Sequence, residues 1–213
     1  RRQRQMCIRD RLYGDPIPSD ITLDDPLGAN EYMFGWENTE TGDVVESIPA
    51  GNVTVRPLVL ERGAQLVMGK NGFDYNSQAG LNAPSAKDTE IDGSAAKQIN
   101  VAEGAQILRI KNGGVTGADN DKVYVTVVLR NDSAFDVTLK YEIESYGAIW
   151  GPEPVTIGAG ETVTLGIVVQ GLGSDQTPYH RILFDGGAKE GTTISFCGYL
   201  MQLSLIHISE PTR

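Results

Sequence analysis

Cysteine, histidine and tryptophan each occur only twice in the 213 residues. Two cysteines cannot staple a disulfide framework. No apolar run approaches the ~20 residues that a membrane-spanning helix needs. Cations are also in short supply, with 18 Lys and Arg against 28 Asp and Glu, and the resulting net charge of −10 opposes a nucleic-acid surface. No GxSxG elbow marks a serine hydrolase, and Gly171-Leu172-Gly173-Ser174 opens no helix that could cradle a phosphate. What is present in quantity is glycine, 25 residues, in a chain long enough to bury the core of one sizeable domain.

The two ends read as foreign. Residues 6–11, MCIRDR, can be written in codons as ATG TGT ATA AGA GAC AG plus one base, and residues 203–208, LSLIHI, as CTG TCT CTT ATA CAC ATC. The first stretch is the reverse complement of the second, so two unrelated peptides share one inverted DNA element, that of a transposase end used in sequencing-library adapters. Residues 1–11 and 203–213 are therefore expected to be adapter-derived, leaving residues 12–202 as the native part. The flanks hold six basic and two acidic side chains, so the remainder carries 12 basic and 26 acidic groups and a net charge of −14. Cys7 and His207 go with the flanks, leaving Cys197 and His180 as the native members of their types, and one of each builds neither an intrachain disulfide nor a His/Cys zinc cage.

Within that part the hydrophobic period is two. Val123, Val125, Val127 and Leu129 alternate with Tyr124, Thr126 and Val128, and Val137, Leu139, Tyr141 and Ile143 alternate with Thr138, Lys140, Glu142 and Glu144. Such patterns belong to strands with one buried face. Similar runs cover residues 52–61, 65–68, 106–111, 162–170, 179–184 and 192–201, separated by turns rich in Gly, Asn, Asp and Pro. Pro57 cannot donate to a ladder, which places its strand at an edge or beside a bulge. No long run carries apolar residues at helical spacing. The fold class is all-β, an antiparallel β-sandwich with a jelly roll favoured over an Ig-like arrangement. A single domain over 12–202 is expected, with residues 112–121 as the alternative boundary.

Candidate chemistry is sparse. Asp119-Asn120-Asp121 in a Gly-rich loop offers oxygen ligands for calcium, as do Asp24-Asp25 and Asp15 with Asp20, although Asp and Asn serve equally well as turn residues. No other cofactor is indicated. Glu142 and Glu144 share the polar face of one strand, which fits a solvated face as readily as the paired acids of a glycosidase. Cys197 and His180 are the one possible thiol–imidazole pair, yet alternation groups Cys197 with Ser195 and Tyr199 as a packed side chain. Trp150, Tyr146 and Trp36, in or beside turns, could form platforms on which the C–H faces of sugars stack, with Trp150 favoured because Gly147, Gly151, Pro152 and Pro154 surround it.

The stretch VTVVLRNDSAFDVTLKYEI followed by PVTIGAGETVTLGIVV resembles the strand rhythm of Ig-like surface modules, and Ser195-Phe196-Cys197-Gly198-Tyr199-Leu200 resembles the closing strand of trimeric C1q-like jelly rolls. In its abundance of Gly, Asn, Asp, Thr and Val and its poverty in Cys and His, the chain is similar to phage and other virion structural proteins, tail-fibre heads and capsid-decorating sandwiches among them. That resemblance implies a non-enzymatic virion or tail structural protein that acts by self-association and surface recognition, with other virion proteins or a cell-surface glycan as partners. The alternative is a secreted carbohydrate-binding or adhesin module. Either places the protein in a virion or outside a cell, as a homo-oligomer in the first case, with neither nucleic acid nor membrane as its partner.

Overall fold

The computed structural model describes residues 6–7, 27–45, 47, 54–65, 86–111, 122–171 and 178–203. Among them every regular element is a strand and the strands pair antiparallel, and no helix is long and apolar enough to cross a membrane. The chain divides into two compact units, Arg1–Arg62 with Gln202–Arg213, and Gly63–Met201.

The first unit holds β1 (Met6–Cys7), β2 (Glu31–Asn38), β3 (Val44–Val45) and most of β4 (Thr54–Gln65). β2 lies between β3 and β4, and β1 pairs with Thr54 and Val55 at the start of β4. The β2–β4 register shifts at a bulge between Met33 and Gly35, next to the Trp36–Pro57 pair, as a proline without an N–H requires.

The second unit contains β5 (Ala86–Ile91), β6 (Ser94–Asn100), β7 (Ile107–Lys111), β8 (Lys122–Asn131), β9 (Val137–Ser145), β10 (Ala148–Trp150), β11 (Val155–Ile157), β12 (Thr162–Gln170), β13 (Tyr179–Leu183) and β14 (Thr193–Leu203). One sheet runs β12-β8-β14-β6-β5. The other runs β7-β13-β9, with β10 and β11 sharing the far edge of β9. Following the chain, β6, β8, β12 and β14 fall in the first sheet, while β7, β9, β10, β11 and β13 fall in the second. The chain thus changes sheet between β6 and β7, β7 and β8, β8 and β9, β11 and β12, β12 and β13, and β13 and β14. That alternation defines a jelly roll, the arrangement favoured from the sequence.

Period-two alternation builds the core between the sheets. Val125, Val127 and Leu129 of β8, Ile167 and Val169 of β12 and Ile194 and Phe196 of β14 face Leu139, Tyr141 and Ile143 of β9, Leu108 of β7 and Ile182 of β13. At about 25 cal/mol per Å² of apolar surface, each of these side chains contributes roughly 2 kcal/mol when buried. The crossing from β8 to β9 is fixed by Asn131, which is completely buried. Its Nδ2 donates to the carbonyls of Phe135 (2.7 Å) and Ile157 (2.9 Å), and its Oδ1 accepts from Ser133 N–H (2.9 Å). One side chain so joins the arch to β11.

Candidate ligand-binding face

On the β7-β13-β9 sheet, the residues that alternate with the core side chains form rows across the strands. Arg109, Arg181 and Glu142 stand in register, as do Ile107, Leu183 and Lys140, and Tyr179, Glu144 and Ile149 make a third row that continues onto β10. Because directly opposed residues point to the same side of a sheet, these side chains share the face turned away from the core.

The face is knitted by ion pairs. Glu142 takes Lys140 Nζ at 2.9 Å on Oε1 and Arg181 Nη2 at 3.1 Å on Oε2, and Glu144 Oε2 lies 3.5 Å from Arg109 Nη2. The Arg109 guanidinium carbon sits 5.4 Å from the centroid of the Tyr179 ring, within cation–π range. Glu142 lies deepest, its side chain 5% exposed, Glu144 (13%) and Arg181 (14%) are level, and Arg109 (25%) and Lys140 (35%) stand further out. This network is incompletely satisfied. Arg109 Nε, Arg181 Nε and Glu142 Oε2 are buried without a hydrogen bond, since the Arg181–Glu142 approach is close enough for charge pairing but off the hydrogen-bond direction. Unmet buried polar atoms each cost about 1–3 kcal/mol, which makes their accumulation on one face informative.

Beside the face rises the β9–β10 hairpin. Ser145 pairs with Ala148, leaving Tyr146 and Gly147 as a two-residue turn with φ of 47° and 89°, as a type I′ turn demands. Glycine takes such a φ freely, whereas tyrosine is strained there. Glu144 ties turn to face, its Oε1 accepting from Gly147 N–H at 3.2 Å. Tyr146 is 85% and Ile149 51% exposed, so an aromatic and an aliphatic group project where the charged rows end.

Beneath the face, His180 is fully buried and its Nδ1 lies 2.6 Å from Tyr141 Oη, while Nε2 has no partner. Burial pushes the His180 pKa down to about 4 and the Tyr141 hydroxyl up from its ordinary value. His180 is therefore a neutral core group. Cys197 is a buried thiol on β14, in the opposite sheet.

The aromatic residues singled out from sequence differ in exposure. Trp150 is the last residue of β10, in register with Ile143, and packs against the core, because alternation turns Ile149 outward and Trp150 inward. Trp36 is buried in the first unit, between the Val45 and Pro57 registers. Tyr146 alone of the three is exposed. Asp119, Asn120 and Asp121, like Asp15, Asp20, Asp24 and Asp25, lie outside the described residues, and among the described ones no group of three or more His, Cys, Asp or Glu gathers as a metal site would. Glu142 and Glu144 do share one face, each committed to an ion pair. Reading by sequence missed Tyr179, Arg109 and Arg181 as members of this set. Their signal was polar residues at period two in YHRIL and ILRIK, which carries meaning only once β7, β13 and β9 are known to be neighbours.

Such a chain belongs to the class of jelly-roll sandwiches with a charged outer face. No protein-family model and no curated protein matches it. Solved structures with similar strand stacking include a Clostridium thermocellum endo-1,4-β-D-xylanase fragment carrying CBM22-1 and GH10 modules with xylohexaose (TM-score 0.43, 10% identity, 58% of this chain and 25% of that one). Others are a family 28 carbohydrate-binding module specific for non-crystalline cellulose (0.45, 12%, 66% and 96%) and the second family 6 module of Cellvibrio mixtus lichenase 5A with cellotriose (0.40, 11%, 67% and 98%). The chain spans about a quarter of the xylanase fragment and nearly all of the two single modules. At these scores the likenesses assign neither family nor ligand.

Proposed function

We propose that the Gly63–Met201 jelly roll is a non-catalytic carbohydrate-binding module acting outside the cell, with its ligand laid across the β7-β13-β9 face. The observation that carries this reading is the mixed character of the unmet groups: two guanidinium donors, Arg109 Nε and Arg181 Nε, and one carboxylate acceptor, Glu142 Oε2, within one cross-strand row. A hydroxyl both donates and accepts, so a polyhydroxylated chain answers such a row when the side chains adjust to it. Tyr179 in the next row and Tyr146 with Ile149 at the rim add the apolar surface on which sugar C–H faces pack. Both carboxylates serve the ion pairs that hold the row, which is a binding role. Of the two readings drawn from sequence, the glycan-binding module is the one this face favours, and the self-associating virion component gains nothing from it.

Affinity electrophoresis of the full chain through gels containing soluble polysaccharides tests the proposal. Retardation by at least one of them, weakened by Tyr179→Ala, is expected. If no polysaccharide slows the wild-type chain, the reading fails.

A further inference from the structure

We propose that the ligand of this face is an anionic polysaccharide, one bearing uronate carboxylates or sulfate groups. The inference rests on the carbohydrate-binding reading and narrows it. Its basis is the vertical order of charge. Arg109, Arg181 and Lys140 outnumber Glu142 and Glu144 by one cation, in a chain whose formal net charge is −10. Glu142 lies deepest at 5% side-chain exposure, Glu144 and Arg181 are level at 13% and 14%, and Lys140 and Arg109 stand out at 35% and 25%. An approaching ligand therefore meets ammonium and guanidinium groups first.

The hydrogen-bond deficit has the same sign. Two of the three unmet atoms in the row are donors, so acceptors are what the face lacks. The Arg109–Glu144 contact, at 3.5 Å, is at the limit of a hydrogen bond, and a carboxylate or sulfate oxygen arriving from solvent competes for that guanidinium. A neutral chain would supply hydroxyl acceptors without offsetting the surplus charge. The anionic group adds a charge-assisted bond, and the sugar ring keeps its packing on Tyr179. Because the remainder of the molecule is acidic, attraction should be confined to this face and should not extend to polyanions in general.

The test is affinity electrophoresis or calorimetry with the full chain and four probes: a neutral xylan, a polygalacturonate, a sulfated galactan and a single-stranded DNA. One of the two anionic polysaccharides is expected to bind at least tenfold more tightly than xylan. Raising salt from about 0.05 M to about 0.5 M should weaken that binding at least tenfold, because screening acts on exposed charges. Lys140→Gln should weaken it several-fold and Arg109→Gln about tenfold, with thermal unfolding confirming that the variants remain folded. The polygalacturonate and galactan arms separate carboxylate from sulfate. Xylan bound as well as either polyanion, without salt dependence, would overturn the anionic inference and leave the carbohydrate reading standing. Binding of DNA as strong as that of the polysaccharides would also overturn it, as unspecific charge attraction. Failure of every polysaccharide removes both readings together.

Discussion

Two polar clusters in the jelly roll are finished to different degrees. At the β8–β9 corner, Asn131 has its three polar contacts met, and Asp132 accepts from Arg130 Nε (2.6 Å), Gln98 Nε2 (2.9 Å) and Ser195 Oγ. Burial alone would raise the Asp132 carboxyl, but hydrogen bonds from Arg130, Ser195 and Gln98 outweigh it and hold it below the usual carboxylate range. On the β7-β13-β9 face, by contrast, two arginine Nε atoms and one carboxylate oxygen go unmet. Folding alone completes the corner and leaves the face open. A cluster that serves stability satisfies itself, and under the proposed function the unmet donors and acceptor of the face are answered by a ligand.

The sharpest break of this contrast is at the corner. Asn131→Ala removes two donors and one acceptor from a site without solvent, and about 4 kcal/mol of stability should be lost, or roughly 10 °C in Tm. Glycan binding by the variant, assayed below its transition, should be unchanged. A loss under about 1 kcal/mol in urea unfolding would show that the corner is no more essential than the face.

Next in size is an acid-side effect from beneath the face. The His180 pKa is lowered to about 4 in the folded chain, against about 6.5 when unfolded. Between these values the unfolded chain binds a proton that the folded chain refuses. Stability is thus whole above about pH 6.5 and falls as pH drops toward 4, by about 3 kcal/mol in all. The Asp132 contribution disappears only further down, as pH falls through that carboxyl's lowered value. Urea midpoints measured from pH 7 to pH 4 check the first window, and His180→Gln should flatten it. A wild-type midpoint constant across that range contradicts a neutral buried histidine.

How much of this was legible in the sequence follows the range of the interactions involved. The alternation places β12 at 162–170, as the structure does, and β8, β9, β7, β13 and β14 within a few residues of their bounds, because Val, Ile and Leu at period two report burial on one side. The β5–β6 hairpin escaped, being built from Ala, Lys, Asp and Gln around Asp92-Gly93, although that dipeptide is the signature of a type I′ turn. The choice of jelly roll over Ig-like order was correct, yet strand rhythm is common to both, and the pairing of β13 with β7 and β9 decides the matter. The same pairing makes the face. Arg109 and Arg181 are distant in the chain and opposed in the sheet, and no local pattern announces that. The Gly- and Pro-rich loop around Trp150 is exposed at Gly147, Gly151 and Pro154, while Trp150 itself is half-buried against the core, beside Gly151, where a Cβ would come within 2.3 Å of the Tyr141 carbonyl oxygen.

On the face itself the contrast predicts that binding and stability separate. Arg109→Gln gives up a 3.5 Å ion pair and a cation–π contact, both partly exposed, which together are worth about 1 kcal/mol at most. Its glycan affinity should fall about tenfold, equivalent to about 1.4 kcal/mol. Denaturant unfolding and binding measured on the same preparation decide the point. A variant that loses several kcal/mol of stability while binding normally makes the face a structural network like the corner.

The smallest effect is expected at the hairpin, and it carries the opposite sign. Asp92-Gly93 and Tyr146-Gly147 occupy equivalent turns, with first residues at φ 49° and 47°, yet the first has the short polar residue that tolerates the left-handed region and the second a tyrosine that does not. Tyr146→Asn should accordingly raise stability by about 1 kcal/mol, there being little burial to lose from a side chain 85% exposed. If the strain is maintained because the ring touches ligand, the stabilised variant should bind glycan several-fold more weakly. Unchanged binding would confine the site to the charged rows and leave Tyr146 a strained residue without a function. Lower stability would mean that the ring packs on Ile149 or the strand ends strongly enough to outweigh its backbone cost.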